Sequence, residues 1–430
     1  MTSDTTSSAV GSTPGGGGPA TLPAERPRGL GAALREYGER VKGGDVGSLP
    51  AVLGLLALVV VFSALRPDRF TSELNVANLI NQSSAVIVLA MGLVFVLLLG
   101  EIDLSAGYTG GTSGAVMAIV LTRQGQPWPL AVLAGLLTGA FIGACIGLLV
   151  ARLGIPSFVV TLAAFLGLQG VLLKLIGEGG TIPVRDETLL ALGNDTLPVP
   201  VGWAFYALVV LVYAAVSLRR AATRRAGGLH ADALSVVVAK VLTLAVLLGA
   251  ATAYLSQERG PRPEVKSIQG LPVVVVLLAA LVVGLTFLLG RTAFGRHVYA
   301  VGGNAEAARR AGINVFRVKL TCFMIASTLA AVAGLLLASR NNSISPTTGG
   351  ADTLLYAVGA AVIGGTSLFG GKGKVLDAVL GGLVIAVIIN GMLLLNQPSS
   401  VVFMVTGVVL LVAASVDALS RKRAAATGRG

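Results

Sequence analysis

The sequence predicts an all-α polytopic integral membrane protein with about twelve transmembrane helices, ten being possible, and with both termini in the cytoplasm. Of its 430 residues, 54% are hydrophobic and only 12% are charged, whereas a soluble globular chain carries about 25% charged residues. The mean hydropathy is +0.84. Apolar runs close to the ~20 residues that cross a bilayer recur from residue 50 to residue 417.

The two ends of the chain differ in composition from the apolar region between them. Residues 1–47 are rich in Ser, Thr, Gly and Pro and poor in large apolar groups, which predicts a disordered cytoplasmic tail. The first apolar stretch begins only at Pro50, so this tail does not have the pattern of a secretory signal peptide. Residues 48–418 form the predicted transmembrane domain, and residues 419–430 form a basic cytoplasmic tail.

Apolar runs of nearly membrane-spanning length define the predicted helices. The segments are 50–66, 78–99, 104–122, 129–150, 156–176, 200–218, 234–255, 271–289, 319–338, 353–369, 376–396 and 399–417. The second begins with polar residues, and the tenth is short and interrupted by Gly359, Gly364 and Gly365. Such breaks persist in a membrane only where protein or water covers the freed backbone groups.

The distribution of Lys and Arg predicts the orientation. On the twelve-helix interpretation most of the 32 basic residues fall on one side, which the positive-inside rule assigns to the cytoplasm. Both termini and the loop of residues 290–319 lie on that side. The basic residues are dispersed among short segments between apolar runs, so no nucleic-acid partner is predicted.

Several kinds of chemistry are not supported by the sequence. The two histidines, His230 and His297, lie in predicted loops without a second ligand at metal-binding spacing. The stretch "GGTSLFGGKGKV" lacks the Ser or Thr that follows the lysine of a phosphate-binding loop, since Gly373 follows Lys372. No catalytic residue, no metal and no cofactor are therefore predicted for this chain, and any ATP is used by a partner.

The cytoplasmic loop of residues 290–319 carries a predicted two-turn helix. Asn304 is a favourable N-cap, Glu306 lies in the first turn, and Gly312 provides a C-terminal stop. A helix of this length is too short to be stable alone, which favours docking on another surface. The residues alone leave two interpretations open, an interfacial connector and an element that contacts a partner.

The loop resembles a known family of transporters. "GGNAEAARRAGIN" is similar to the loop by which permease subunits of ATP-binding-cassette sugar importers, in the ribose and xylose group, engage their ATPase subunit. "EIDLSAG", "PSFVVTLAAFLGLQG" and "VIGGTSLFGGKGKVLDAVLGG" also resemble blocks of that group, in the same order. Glu101 and the additional pair of helices around residues 218–233 are most similar to the xylose type. Ala106 and Lys372 depart from the usual pattern, which leaves the sugar open.

The resemblance implies a permease subunit for D-xylose or a related monosaccharide in the cytoplasmic membrane. The implied partners are a second copy of the chain, a cytoplasmic ATP-binding subunit, an extracytoplasmic sugar-binding protein and the lipid bilayer. The residues implied in ATPase coupling are Gly303, Asn304, Glu306, Ala307, Ala308, Arg309 and Gly312.

A path for a neutral sugar needs hydroxyl, amide and aromatic groups inside the bundle. The candidate path or gate residues are Glu101, Asp103, Ser105, Asn81, Gln82 and Asn390, with Ser83, Ser84 and Tyr356 as further candidates. Asp103 or Ser105 is expected to cap the third transmembrane helix, and Glu101 to line or gate the inner mouth. For each path residue the alternative is a plain interhelical hydrogen bond.

Three other functions remain open on sequence grounds. They are a sugar facilitator that works without ATP, a flippase for a lipid or a precursor, and an intramembrane enzyme. The scarcity of charged residues deep in the predicted helices argues against proton or sodium coupling, because such residues are costly and kept for function.

Overall fold

The computed structural model describes residues 47–228, 233–260, 263–264 and 267–426. In chain order the helices are α1 (Leu49–Leu65), α2 (Pro67–Phe70), α3 (Glu73–Leu98), α4 (Ala106–Ala118, continued by a π-helical turn at Ile119–Arg123), α5 (Trp128–Ala151), α6 (Ser157–Ile176), α7 (Glu187–Asn194), α8 (Val199–Ala226), α9 (Leu234–Leu255), α10 (Val274–Arg291), α11 (Ala293–Gly303), α12 (Ala305–Arg310), α13 (Val315–Asn341), α14 (Ala351–Gly364), α15 (Val375–Leu394) and α16 (Ser399–Ala426). Two short strands, β1 (Ile182–Pro183) and β2 (Ser343–Ile344), pair antiparallel.

The predicted fold class, an all-α polytopic membrane protein, is confirmed. Within the described residues, eight helices are long and apolar enough to cross a membrane, namely α3, α5, α6, α8, α9, α10, α13 and α15. Shorter apolar helices occupy Leu49–Leu65, Ala351–Gly364 and Ser399–Val412. Each of the predicted segments contains a helix. The exact number of crossings and the side of each terminus stay predictions.

Parts of the predicted tails lie outside the described residues. The N-terminal tail falls almost entirely in residues 1–46, and the last part of the C-terminal tail in residues 427–430. Helix α16 extends to Ala426, so the predicted tail of residues 419–430 begins within this helix. We call the end of the bundle that carries α12 the inner end and the opposite end the outer end, following the orientation that the basic residues predict.

Helices α3, α13 and α15 form the centre of the bundle. In their most apolar windows 72%, 61% and 72% of the residues are buried, against 6 to 11% for α8, α9 and α10. The apolar faces of these three peripheral helices are therefore not covered by the described part of the chain. Helices α8 and α9, the pair expected of the xylose type, pack on each other, and the Tyr206 hydroxyl donates to the Ala245 carbonyl at 3.2 Å.

A stripe of glycines, which we call the α5 stripe, holds α5 against α13. A Cβ atom on Gly139 would lie 2.6 Å from the Ser327 carbonyl oxygen, and one on Gly143 would lie 2.6 Å from that of Phe323. Only glycine allows such an approach of two backbones. The stripe consists of Gly135, Gly139, Gly143 and Gly147, all of which are buried.

Two helices inside the bundle are too short to cross it. Helix α14 has 14 residues and is about 20 Å long. Helix α4 has 13 residues, and with the five residues of its π-helical turn it is at most about 27 Å long. The hydrocarbon core is about 30 Å thick. Helix α14 ends at the inner side, since a Cβ on Gly364 would lie 1.8 Å from the Asp377 carbonyl oxygen in the first turn of α15. We therefore expect its N-terminus, about 20 Å from the inner end, to lie within the membrane.

The structure corrects two predicted segments at these short helices. The segment 353–369 is helical only to Gly364, because Gly365 has a φ of +120° and turns the chain out of the helix. The segment 104–122 becomes α-helical at Ala106, and the residues before it, 101–103, have no regular secondary structure. Such backbone is tolerated at membrane depth when protein covers it.

An exposed carboxylate organises the outer loop after α9. Glu258 accepts hydrogen bonds from the Ser267 hydroxyl and the Gln269 amide, and from the N–H groups of Ile268 (2.9 Å) and Gly260 (2.8 Å). These donors, with Ser267 first, lower the pKa of Glu258 to about 2. Arg259 donates from its buried guanidinium to the Leu255 and Gly270 carbonyls and closes the base of the loop.

We expect Glu258 to make the order of this loop depend on pH. Its pKa in the folded state lies below the ordinary value of 4.5, so its stabilising contribution is complete above that value and disappears as the pH falls through about 2. In hydrogen-exchange mass spectrometry, protection of the Ile268 N–H will persist at pH 3.5. Glu258→Gln will lower that protection at neutral pH. Equal protection in both proteins would contradict this account.

Candidate functional site

Helix α12 forms where the cytoplasmic loop was predicted to be helical. The Asn304 Oδ1 atom accepts the N–H of Ala307 at 2.9 Å, and Gly312 has a φ of +84°. Glu306 lies in the first turn and pairs with Arg309 and, at 3.2 Å, with Arg310. The six-residue helix thus satisfies its first turn and balances its own charges.

One side of α12 is buried and the rest is exposed. Ala308 is 5% exposed and belongs to the main hydrophobic cluster of the bundle. This residue therefore anchors α12 to its own chain and is not free to contact a partner. The other residues of the predicted coupling set are exposed and available to one, namely Gly303, Asn304, Glu306, Ala307, Arg309 and Gly312.

The residues just before α12 join the loop to the inner end of α3. A Cβ on Gly302 would lie 1.8 Å from the Leu98 carbonyl oxygen, which also accepts the N–H of Gly371 at 2.9 Å. A Cβ on Gly370 would lie 2.9 Å from the N atom of Gly100. The loop carrying α12 is thus in backbone contact with the chain segment that leads to Glu101.

Glu101 is paired with a lysine of α13. Its carboxylate accepts a hydrogen bond from the Lys319 ammonium group, with 16% of the glutamate side chain and 22% of the lysine side chain exposed. Lys319 lies in the second turn of α13, which starts three residues after Gly312. This ion pair therefore connects the helix that follows the coupling loop to the nonhelical segment before α4.

Asp103 and Ser105 lie at the start of α4, fully inside the protein. The N–H and the hydroxyl of Ser105 donate to Asp103 Oδ1 at 2.9 and 2.6 Å. The Ser105 hydroxyl is therefore engaged by Asp103 and does not cap the helix. Capping by Asp103 stays a prediction. Asp103 Oδ2 is buried and has no hydrogen-bond partner in the described part of the chain. Both residues lie near the inner end of α6, since Ile102 N–H donates to Ser157 Oγ at 3.2 Å.

The amide candidates occupy the outer half of the bundle. Asn390 is buried and exchanges two hydrogen bonds of 2.9 Å with Asn75. Its amide joins α3 to α15, which is the interhelical hydrogen bond given above as the alternative to a path role, and the path role stays a prediction. Asn81 and Gln82 are half-buried, and Asn81 Oδ1 has no partner among the described residues. They lie about 25 Å along α3 from its inner end and do not meet Glu101.

The structure reveals one polar residue that the sequence reasoning missed. Asp352 lies in the first turn of α14 and is exposed, although that turn lies within the membrane. Tyr356 lies one turn further along α14, and Tyr108 lies beside the N-cap residue Gly350. In the sequence, Asp352 stands at the edge of an apolar run and is indistinguishable from an interfacial residue.

A known protein family matches most of this chain. Residues 75–414 match the family described as the branched-chain amino acid transport system / permease component. The chain belongs to this family. The match covers the bundle from α3 into α16, including α12, the Glu101–Lys319 pair and both short helices. No solved structure matches the chain at a significant level.

Several proteins similar to this chain are named for a particular sugar. The chain is 37% identical to the xylose transport system permease protein of Escherichia coli strain K12, over 86% of this chain and 92% of that protein. It is 35% identical to the xylose transport system permease protein of Haemophilus influenzae, over 87% and 98%. The ribose import permease protein of Escherichia coli strain K12 is 29% identical, over 85% and 92%.

Membership in the family establishes a multi-pass protein of the cell membrane and a permease component of a transport system. The chain is accordingly a membrane transport component. Within the described ranges, no group of three or more His, Cys, Asp or Glu residues is arranged to hold a metal ion.

Proposed function

We propose that this protein is the permease subunit of an ATP-binding-cassette importer for D-xylose or a related monosaccharide. The similarity to two xylose permeases, each over more than 85% of this chain, carries the proposal. The working assembly comprises two copies of the chain, a separate cytoplasmic ATP-binding subunit and an extracytoplasmic sugar-binding protein. The chain binds no cofactor, and the partner subunit uses the ATP.

In this proposal the exposed face of α12 receives the ATP-binding subunit. Two contacts support a route from there into the bundle, the packing of Gly302 on Leu98 and the Glu101–Lys319 pair. The first contact reaches the inner end of α3, three residues before Glu101, and the second reaches the nonhelical segment before α4. Closure of the ATP-binding subunits would shift α12 and change the packing of this segment, which exchanges outward-open and inward-open states.

The sugar path runs past the start of α4. Glu101 acts as an inner gate, because its pair with Lys319 is partly buried next to the break before α4. Asp103 and Ser105 fix the geometry of that break, whereas Asn81 and Gln82 offer amides in the outer half. The exposure of Asp352 at membrane depth supports a second copy or an aqueous path on that side, since a carboxylate facing lipid is unstable.

The proposal is tested by uptake into proteoliposomes that contain the assembled complex and a panel of pentoses and hexoses. We expect uptake of D-xylose to require ATP and the binding protein and to exceed that of unrelated sugars. Uptake without ATP would identify a facilitator, and movement of a lipid without sugar uptake would identify a flippase. D-Xylose uptake no faster than that of unrelated sugars would contradict the assignment of the sugar.

Reversing the charge of Glu306 will uncouple the chain from its ATPase. Glu306→Arg removes both ion pairs of α12 and places a third arginine beside Arg309 and Arg310 in a helix that is too short to be stable alone. We expect the ATP-binding subunit to dissociate about tenfold more readily, with a matching loss of uptake. Co-purification and surface plasmon resonance measure the first effect.

The matched control is Glu187→Arg. Glu187 is also an exposed first-turn glutamate, but its helix, α7, lies at the outer end. This variant should bind the ATP-binding subunit like the unmodified protein. Unchanged association and uptake in Glu306→Arg would refute the role of α12 as the coupling element.

A further inference from the structure

The N-termini of α4 and α14 meet inside the membrane. A Cβ on Gly107 would lie 2.3 Å from the Gly349 carbonyl oxygen, and one on Gly349 would lie 2.4 Å from that of Gly107. Gly111 is equally close to Thr348. The two helices run in opposite directions from this contact, α4 toward the outer end and α14 toward the inner end. We call this contact the half-helix junction.

Both helices direct the positive ends of their dipoles at the junction. The first N–H groups of a helix have no acceptor within the helix, so they are available to an external oxygen. Two acidic residues balance these ends, Asp103 at α4 and Asp352 at α14. Asp103 is buried and holds Ser105, whereas Asp352 is exposed and has no side-chain hydrogen bond within the described residues.

The surroundings of Asp352 are aromatic. The Tyr108 hydroxyl oxygen lies 3.5 Å from the position of a Cβ on Gly350, two residues before Asp352. Tyr108 packs edge to face on Phe165 of α6, with ring centroids 4.8 Å apart. Tyr356, one turn after Asp352, stacks on Phe403 of α16 at 6.4 Å. One tyrosine hydroxyl therefore lies beside the N-cap of α14, and a second tyrosine lies one turn after the accessible carboxylate of Asp352.

Two buried oxygens near the start of α4 are unsatisfied by the residues that the structure describes. Asp103 Oδ2 and Thr109 Oγ1 are buried in the first turns around the start of α4 without a hydrogen-bond partner among the described residues. Buried polar atoms in proteins are normally satisfied by protein, by ordered water or by a ligand. These two atoms were not used by the coupling route or by the gate.

We propose that Asp352, the first-turn N–H groups of α14 and the hydroxyls of Tyr108 and Tyr356 form a subsite that binds the hydroxyl groups of the transported monosaccharide. This inference rests on the proposed function. A sugar hydroxyl both donates and accepts, so it matches a carboxylate acceptor beside backbone N–H donors. The tyrosine rings present apolar faces to the C–H groups of the sugar.

The chemistry of the subsite favours a sugar over an ion. An anion would meet the negative carboxylate of Asp352, and the described residues provide no metal-ligand cluster for a cation. The subsite lies between the outer amides of Asn81 and Gln82 and the inner pair of Glu101 and Lys319. A solute bound here would therefore be held within the membrane between the two ends of the path.

The test measures how the complex discriminates D-xylose from its monodeoxy analogues. Sugar uptake into proteoliposomes is compared with the binding protein saturated by each sugar, which removes selection outside the membrane. The unmodified complex should transport at least one monodeoxy-xylose about tenfold more slowly, because a site built for a hydroxyl rejects the analogue that lacks it. In the Asp352→Asn variant, uptake of D-xylose should be about tenfold slower, and the complex should transport D-xylose and the monodeoxy analogue at similar rates.

Asp68→Asn is the matched control. Asp68 is likewise an exposed first-turn aspartate, in α2 near the outer end, so it shares the helix-dipole role but not the subsite. This variant should keep the rate and the discrimination of the unmodified complex. If Asp352→Asn also keeps both, the subsite is refuted while the permease function stands. If the unmodified complex transports no sugar, the proposed function and the subsite fail together.

A labelling experiment tests the subsite without transport. Asp352→Cys is made in a Cys145→Ser background, because Cys145 is exposed and Cys322 is buried. In the assembled complex we expect a water-soluble maleimide to react at position 352 and saturating D-xylose to slow the reaction at least fivefold. A residue that reacts only with membrane-soluble reagents, or that D-xylose does not protect, would overturn the subsite. An unreactive residue would assign position 352 to a contact with the second copy.

Discussion

Lys319→Glu is expected to abolish sugar uptake while leaving the protein folded. The variant places two carboxylates together where fewer than a quarter of either side chain is exposed. Breaking a buried ion pair costs about 3 to 5 kcal/mol. Even the lower figure, applied to one state of the transport cycle, corresponds to about a hundredfold slower uptake. Uptake rates in proteoliposomes and the elution profile of the purified complex measure the two quantities.

Exchange of the two charges identifies the cause. The double variant Glu101→Lys with Lys319→Glu restores the ion pair with the two charges exchanged between the positions. We expect it to recover at least a tenth of the original uptake. Lys174→Glu serves as the control, since Lys174 is an exposed lysine in the last turn of α6 at the outer end. If the exchange fails to improve on Lys319→Glu, the pair does not act as a unit.

Substitution of Gly334 is expected to prevent stable folding. A Cβ on Gly334 would lie 2.0 Å from the carbonyl oxygen of Gly110, so two helix backbones must separate to admit it. Overpacking of this kind costs about 1 to 3 kcal/mol for a small group and more for a branched one. We expect Gly334→Ala to lower the thermal midpoint in detergent clearly and Gly334→Val to yield no monodisperse protein.

Gly284→Ala separates this effect from the general cost of replacing glycine. Gly284 lies in α10, and a Cβ there would have no neighbour within 4 Å. Alanine is favoured over glycine inside a helix by about 0.5 to 1 kcal/mol, so this variant should be as stable as the original protein or slightly more stable. Equal stability of Gly334→Ala and Gly284→Ala would show that α4 and α13 do not meet as the structure places them.

Much of the local structure follows from sequence signals that act over a few residues. The apolar runs predicted where helices lie, because a bilayer requires a fixed length of apolar chain. Asn304, Glu306 and Gly312 predicted α12, because the cap, the first-turn anion and the left-handed stop each act within one turn. Gly110 and Gly381 allow close helix approach, because a Cβ on either would lie within 2.6 Å of a carbonyl oxygen of the facing helix.

The candidate site depended on contacts that the sequence does not encode locally. Glu101 and Lys319 are 218 residues apart, and neither residue indicates the other. Asn390 has the residue type expected in a sugar path, but Asn75, 315 residues away, uses its amide. Asp352 could not be predicted because its position at membrane depth follows from the early end of α14 at Gly364. In each case a long-range partner decides whether a polar group is structural or accessible.

The α5 stripe has a mechanical consequence. Three of its glycines, Gly139, Gly143 and Gly147, bring the α5 and α13 backbones together without long side chains between them. Little can therefore be compressed or rearranged at this contact. Helix α13 begins just after the coupling loop and carries Lys319. We expect α5 and α13 to move as one rigid body when α12 is displaced. A movement of α12 caused by the ATP-binding subunit would then be transmitted in full to the outer end of the bundle.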